Sequence, residues 1–187
     1  MKKVLYLLSG VIVVAALMGC ASLSKNECLQ ANWYELGWRD GNLGKPRSLF
    51  QKHADACVKH GVGAEKTEYF RGRDDGLMNF CTYDKGLSQG KSGKSYHYVC
   101  PPELEASFLA GYKNGRKVYE YHRKVTALEN KLKMIDAEIQ KKEKQLYSSK
   151  VGKERRAILR SEIRQLDIKY RNTARDLSEL RMKDPLS

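Results

Sequence analysis

One pattern of aromatic and glycine positions recurs along the chain and predicts packed helices. Three segments each carry an aromatic residue followed by glycines three and seven positions later. The segments are Tyr34, Gly37 and Gly41, then Tyr69, Gly72 and Gly76, then Phe108, Gly111 and Gly115. On a helix these positions share one face, which is bulky at one end and bare at the other. A glycine inside a helix costs about 1 kcal/mol relative to alanine, so we expect a neighbouring backbone to cover each bare face.

A second interpretation of these glycines is a helix C-cap. The second glycine of each copy could end its helix, because glycine adopts the left-handed conformation without strain. This interpretation fits Gly41 best, since a sequence typical of a stop follows it, and fits Gly115 worst, since helix-forming residues follow.

A second hydrophobic pattern predicts a long helical hairpin at residues 118–187. Positions there that hold an apolar residue, or that could hold one, alternate three and four residues apart, which is the spacing of a heptad seam. This seam comprises Val118, Tyr121, Val125, Leu128, Leu132, Ile135, Ile139, Lys142 and Leu146, then Leu159, Ile163, Leu166, Tyr170, Thr173, Leu177 and Leu180. Gly152 interrupts the pattern between the two arms, which favours an antiparallel hairpin. The alternative is a pair of single helices that join copies from other chains.

The remaining pattern predicts two shorter helices and one loop. Pro46 and Gly61 bound a helix at about residues 47–60, and the second copy predicts a helix at about residues 64–81. Between Cys81 and Cys100 glycine, serine and lysine dominate, so we expect a turn-rich loop there, without the spacing of a nucleotide-binding loop. The expected fold is therefore mainly α, with a small disulfide-stapled helical domain at residues 27–117 followed by a coiled-coil hairpin.

The N-terminus predicts an export signal that ends in a lipidation site. A short basic start and an apolar run to Met18 are typical of a signal peptide rather than of a lasting membrane span. The sequence Leu-Met-Gly-Cys ending at Cys20 resembles the bacterial lipobox, which implies cleavage after residue 19 and acylation of Cys20. Residues 20–26 would then be a lipidated tether. Ala21 and Ser22 differ from the aspartate that retains enteric lipoproteins at the inner membrane, so we expect the periplasmic face of the outer membrane.

The mature chain is basic, which restricts its partners. Residues 20–187 carry 33 Lys and Arg against 22 Asp and Glu, and residues 118–187 alone carry 18 against 11. In the envelope such a surface meets anionic lipid head groups, lipopolysaccharide, acidic wall polymers or an acidic partner protein. Nucleic acid lies in another compartment and is not expected as a partner. A second copy of the chain, joined through the seam, is the other candidate partner.

Four cysteines remain beside Cys20, and they predict two disulfides. An even number in a small exported domain indicates cross-links, because the periplasm is oxidising. Three pairings are possible, and we favour Cys28–Cys57 and Cys81–Cys100, which staple the first two copies locally. The spacing of a redox or zinc site is absent, so we expect no metal there.

One polar position of the copies is a candidate ligand face. Asp40, Asp75 and Asn114 each precede the second glycine and could bind a cation or a hydroxylated ligand. More often such a residue hydrogen-bonds nearby backbone at a helix end, which is the expectation we favour. The histidines lack metal-ligand spacing and no nucleophile motif occurs, so we expect neither an enzyme nor a cofactor.

Several of these motifs together resemble a family of Gram-negative envelope lipoproteins, the domain of unknown function 2799. They are the lipobox, the Trp-x-x-x-Gly-x-x-Asp-Gly segment at residues 33–41, His-Ala-Asp-Ala-Cys at 53–57, the second copy with Cys81, and Tyr-His-Tyr-Val-Cys-Pro at 96–101. The resemblance extends from residue 27 to about residue 121. It implies a periplasmic lipoprotein and no particular activity, and it excludes the hairpin.

Anchor and hairpin together predict a structural or adaptor protein. The lipid would hold the chain at the membrane, and the basic hairpin would engage an envelope protein or an acidic polymer. The alternative is a small-ligand or glycan-binding protein, or a hydrolase, that uses Asp40, Asp75 and Asn114.

Overall fold

The computed structural model describes residues 22–185, and in this range the chain forms seven α-helices and no β-strand. The predicted signal peptide and Cys20 lie outside the described residues. The helices are α1 (Lys25–Leu29), α2 (Trp33–Asn42), α3 (Leu49–Val58), α4 (Lys66–Phe80), α5 (Tyr83–Lys91), α6 (Pro102–Leu146) and α7 (Lys153–Arg181). The mainly α fold predicted from the sequence is confirmed.

Side chains in the connecting segments start three of these helices. Ser24 and Glu27 form a reciprocal capping box at α1, in which the Ser24 hydroxyl accepts a hydrogen bond from the Glu27 amide. Asn32 caps α2 and Thr82 caps α5, each by accepting from a backbone amide of the first turn. α6 begins at Pro102, where a missing N–H costs nothing because the first turn leaves its amides unpaired.

The prediction of a loop between Cys81 and Cys100 is wrong for the first half of this segment, because that half forms α5. Tyr83 precedes Gly86 by three positions and Gly90 by seven, so this helix carries a fourth copy of the aromatic and glycine pattern. Its many Gly, Ser and Lys residues predict a turn only while no packing partner is known. Contact with α6 is what makes these glycines helical.

α2 and α4 pack with their backbones in contact through the first two copies. A Cβ on Gly37 would overlap the carbonyl oxygen of Tyr69, and the reciprocal overlap occurs at Gly72. Gly41 meets the carbonyl of Arg73 four residues further along both helices, so the two helices run parallel. Small residues allow this close approach, and Cα–H groups facing carbonyl oxygens add a weak attraction.

α5 and α6 repeat the arrangement with the other two copies. Gly86 lies against the carbonyl of Phe108, and Gly111 lies against that of Tyr83. Gly90 and Gly115 face each other so closely that a Cβ on either would lie 2.9 Å from the Cα of the other. This pair of helices is therefore also parallel and also joined through its backbones.

The glycines of the copies are interior helix residues, so the C-cap interpretation is wrong. Within residues 22–185, the glycines with positive φ are Gly44, Gly61 and Gly93, and none of them belongs to a copy. α2 continues past Gly41 to Asn42. The physical reason for each second glycine is the approach of the neighbouring helix.

The chain leaves the first helix of each pair in the same way. Gly44 follows α2 with φ +63° and Gly93 follows α5 with φ +68°. A Cβ on either residue would overlap an aromatic ring of the other helix of its pair, Phe80 for Gly44 and Tyr119 for Gly93. Both positions therefore require glycine twice over, for conformation and for space.

The residue after each of these glycines is held by the partner helix. Arg73 Nη2 donates to the Lys45 carbonyl at 2.8 Å, and the Tyr112 hydroxyl donates to the Lys94 carbonyl at 2.8 Å. Arg73 and Tyr112 occupy the same position in their copies, directly after the first glycine. The two helix pairs are therefore built alike, down to the contact that closes the turn.

Contacts divide the chain into two compact units. The described residues up to Cys81, with Tyr96–Glu105, form the first unit, and Thr82–Ser95 with the residues from Ala106 onward form the second. The first unit contains α2 and α4, and the second contains α5 and most of α6. α6 runs without interruption past residue 117, where the sequence placed a domain boundary.

A small aromatic core and two disulfides hold the first unit. The ring of Phe50 lies 6.2 Å from that of Trp33 and 5.0 Å from that of Tyr69, measured between centroids. The cysteines form the bonds Cys28–Cys57 and Cys81–Cys100, the pairs favoured from the sequence. In the chain-entropy model cross-links of this span stabilise a fold by about 3 kcal/mol each, which offsets the small core.

α6 and α7 form an antiparallel hairpin in the second unit. Lys142 pairs with Glu162 at 2.9 Å and Arg181 pairs with Glu129 at 2.8 Å, so the helices run in opposite directions. Every seam position is buried or half-buried except Tyr170, which is 38% exposed. The predicted helical hairpin is confirmed.

We expect Gly72→Ala to destabilise the first unit by about 2 kcal/mol or more, because its Cβ meets backbone that cannot move without separating α2 from α4. Gly63→Ala is the matched control, since nothing lies within 4 Å of its Cβ. Urea unfolding followed by tryptophan fluorescence measures the difference, because both tryptophans lie on α2. Equal stability of the two variants would contradict the backbone contact.

Candidate functional site

A buried hydrogen-bonded network joins the first helix pair to α3 and to the start of the described chain. The Asp40 carboxylate accepts from the Tyr69 hydroxyl at 2.7 Å and lies 2.9 Å from Nε2 of His53. Nδ1 of His53 lies 3.0 Å from the hydroxyl of Ser22. Asp40, His53 and Tyr69 are buried, so each polar atom needs these partners.

The network keeps Asp40 ionised within the protein. Burial alone raises the pKa of this carboxyl, but the hydrogen bonds from His53 and Tyr69 outweigh burial, so its pKa is lowered overall. Burial, followed by the hydrogen bond to Asp40, raises the pKa of the Tyr69 hydroxyl, which therefore stays protonated as the donor. The arrangement binds the segment next to the predicted lipid anchor to the folded unit.

This network contains the serine, histidine and aspartate of a hydrolytic triad, but its hydrogen bonds differ from those of a triad. Asp40 also accepts from Tyr69, and His53 is buried with its second nitrogen directed at Ser22. Neither the cavity beside Leu23 and Leu36 nor the one beside Arg73 and Leu77 is lined by Ser22 or His53. Each of these side chains therefore already has a hydrogen-bond partner within the first unit.

The three polar residues proposed as a ligand face do not converge on one site. Asp75 accepts from the Tyr34 hydroxyl at 2.8 Å, which is the counterpart of the Tyr69 bond to Asp40 with the helices exchanged. Asn114 donates to the Tyr83 hydroxyl at 3.1 Å in the second unit. Each residue therefore binds the tyrosine of the opposite helix of its pair and fixes the register of the pair.

The sequence did not indicate these tyrosine contacts. Asp40, Asp75 and Asn114 were expected to bond nearby backbone, whereas their partners are side chains on another helix. A parallel pairing of copies would have suggested the contact, because it sets the aromatic residue of one copy beside the polar residue of the other.

The hairpin surface, meaning the exposed side chains of residues 118–181, is strongly basic. The carboxylates of Glu120, Glu129, Glu138, Glu162 and Glu179 are all within 4.0 Å of a basic side chain of the same unit. In the described part of this surface, the basic side chains that form ion pairs are Arg123, Lys142, Arg155, Arg175 and Arg181. The other lysines and arginines leave an excess of positive charge directed at solvent.

The same surface exposes apolar side chains. Met134, Ile158 and Ile168 lie outside the seam and are 73%, 51% and 52% exposed. Most seam residues are only half-buried, because a two-helix hairpin has no third element to cover its sides. The hairpin therefore exposes both basic and apolar groups, which makes it the strongest candidate contact surface of this unit.

Residues 22–185 contain neither a candidate membrane-spanning helix nor a candidate metal site. None of the helices described there is long and apolar enough to cross a membrane. No group of three or more His, Cys, Asp or Glu side chains in this range is placed to hold a metal ion.

Comparison with known proteins finds a family resemblance in the glycine-rich part of the chain. Residues 32–117 match the model of the family described as "Protein of unknown function (DUF2799)". The resemblance to DUF2799 is confirmed. The matched segment holds all four glycine-bearing copies and ends one residue before the seam begins. No curated protein and no solved structure matches the chain.

The two tyrosine contacts of the first helix pair provide a matched test. We expect Tyr69→Phe to lower the free energy of unfolding by about 1–2 kcal/mol, because it removes a buried hydrogen bond to an ionised carboxylate. Tyr34→Phe removes the equivalent exposed bond, and we expect a smaller loss because water replaces the hydroxyl. Urea unfolding followed by tryptophan fluorescence measures both, and an equal effect would contradict the central role of the buried network.

Proposed function

We propose that this protein is a lipid-anchored envelope protein that binds an acidic partner protein through its helical hairpin. Acylation of Cys20 would hold it at the periplasmic face of the outer membrane. The first unit would act as the base next to the anchor, and the hairpin would act as the contact surface. The proposal makes the chain a structural or adaptor protein and not an enzyme.

The observation that carries the proposal is the positive charge that the hairpin leaves unneutralised. Five of its acidic side chains already have basic neighbours, while Lys131, Lys141, Lys144 and Arg164 have no ion pair within the described part of the chain. Surface charge of one sign draws an oppositely charged partner and accelerates association. An acidic partner therefore suits this surface.

The apolar side chains favour a protein over a wall polymer. Met134, Ile158 and Ile168 are accessible on the same hairpin as the basic residues. Covering them requires apolar side chains of a partner, which a helix or sheet can supply and an acidic polysaccharide cannot. The network around Asp40 supports the division of roles, because it links the chain at Ser22 to the first unit.

The alternative of a ligand site at Asp40, Asp75 and Asn114 has less in its favour. All three side chains are bonded to a tyrosine of the opposite helix of their pair, and Asp40 is also bonded to His53 of α3. A ligand would have to displace these bonds.

In-cell crosslinking tests the proposal directly. A photoreactive residue at Lys141 or Arg164, both exposed on the hairpin, should yield a discrete product with a different envelope protein, identified by mass spectrometry. The same residue at Lys52, exposed on α3 of the first unit, should not yield that product.

Charge variants show whether the product depends on the basic surface. Replacing Lys144, Lys153 and Arg160 with Gln should reduce the product several-fold, whereas replacing them with Arg, Arg and Lys should preserve it. Products containing only this chain would replace the proposal with self-association. Products containing only wall polymer, or no change in the Gln variant, would contradict an acidic protein partner.

A further inference from the structure

One buried charge in the first unit lacks a counter-ion. Arg73 is 3% exposed, and its single described hydrogen bond runs from Nη2 to the Lys45 carbonyl. Its Nε is buried without a partner. Among residues 22–185 no carboxylate lies within the 4.0 Å of an ion pair with Arg73, although Asp74 and Asp40 act on it from further away. A buried guanidinium in this state is costly, because water no longer solvates it.

The turn that Arg73 closes does not require a charge. In the second unit the neutral hydroxyl of Tyr112 occupies the equivalent position and donates to the equivalent carbonyl, that of Lys94, at the same 2.8 Å. A tyrosine therefore performs the structural task alone. The positive charge at Arg73 needs another explanation.

Arg73 lines a cavity of about 470 Å³ within the first unit. This volume falls in the range of small-molecule sites. Arg47 lines the same cavity, and its guanidinium is stacked 3.9 Å from the centroid of the Phe70 ring. Leu77 and Val99 give the cavity an apolar wall.

The rim of the cavity is a constrained segment. Tyr98 is 79% exposed and has φ +52°, a conformation that is strained for an aromatic residue. The segment ends at Cys100, which is fixed by its disulfide to Cys81 and by a hydrogen bond from its amide to the Tyr96 hydroxyl. Strain that surrounding bonds enforce beside a cavity is common at binding sites.

The acidic side chains of the cavity restrict the charge that its ligand can carry. Asp74 and Glu103 also line it, so a polyanion would be repelled. A single negative charge can meet the two guanidinium groups while staying away from these carboxylates. A guanidinium binds the oxygens of a carboxylate or a phosphate through paired hydrogen bonds.

We propose that this cavity binds the singly charged oxyanion of a small amphiphile, with the oxygens at Arg73 and Arg47 and the apolar part against Leu77 and Val99. The oxyanion can belong to a free carboxylate or to the phosphodiester of an anionic lipid. The ligand supplies the counter-ion that Arg73 lacks. This site is independent of the hairpin surface.

Calorimetric titration of the full chain in neutral phosphatidylcholine nanodiscs tests the proposal. The probes are hexanoate for the carboxylate source and dihexanoylphosphatidylglycerol for the lipid source, each up to about 10 mM. We expect at least one of them to bind. Arg73→Tyr, which copies the residue of the second unit, should weaken that binding at least about tenfold, the loss typical of a charge-assisted hydrogen bond.

Arg71→Gln is the matched control, because it removes the same charge from an exposed position on the same helix. It should change binding less than about twofold. Arg47→Gln provides a second test if Arg73→Tyr does not fold, and it should also weaken binding, which Trp fluorescence can separate from misfolding.

Each outcome decides the proposal. Binding of hexanoate alone assigns a free carboxylate, and binding of the phosphatidylglycerol alone assigns a lipid headgroup. Absence of binding by both probes overturns the proposal, as does binding that Arg73→Tyr and Arg47→Gln leave unchanged.

Discussion

The fold depends on contact between helix backbones at positions where no side chain fits. Gly37 lies against a carbonyl group of α4, and Gly72 lies against one of α2. In the second pair, Gly86 lies against a carbonyl group of α6, and Gly111 lies against one of α5. Glycine makes each helix less stable in isolation, so these helices gain their stability from being paired. The other features of each unit follow from that pairing. Tyrosine reaches the opposite helix, and the chain turns beneath an aromatic ring at Gly44 and Gly93.

Close backbone packing leaves little room for a conventional apolar core, and the chain compensates with bonds of other kinds. The disulfide between Cys28 and Cys57 holds α3 to the segment that precedes α2. Asp40 and His53 add a buried polar link between α2 and α3. A network of this kind specifies one arrangement because each buried atom has a defined partner. It also holds the start of the described chain, at Ser22, to the first unit.

Periodicity predicted the helices whose packing partners lie close in sequence. It failed where a partner that is distant in sequence determines the conformation. The seam from Val118 to Leu180 was readable because its two arms bury each other across one short turn. α5 was missed because Gly86 and Gly90 look like turn residues until α6 is placed beside them. The spacing of Tyr83 from these glycines was the available signal. The bonds of Asp40 and the burial of Arg73 could not be predicted, since they depend on which helices pair and in which direction.

Each unit contains a parallel pair of glycine-bearing helices, and the two units differ in the features that surround this pair. The first has the charged network, the disulfides and the cavity at Arg73, while the second continues its last helix into the basic hairpin. All of this rests on the parallel pairing of the copies. Proton NMR of the folded protein tests that pairing most directly, through nuclear Overhauser effects between glycine α-protons. The account predicts a strong effect between Gly90 and Gly115, whose Cα atoms face each other across α5 and α6. A well-dispersed spectrum without that effect would contradict it.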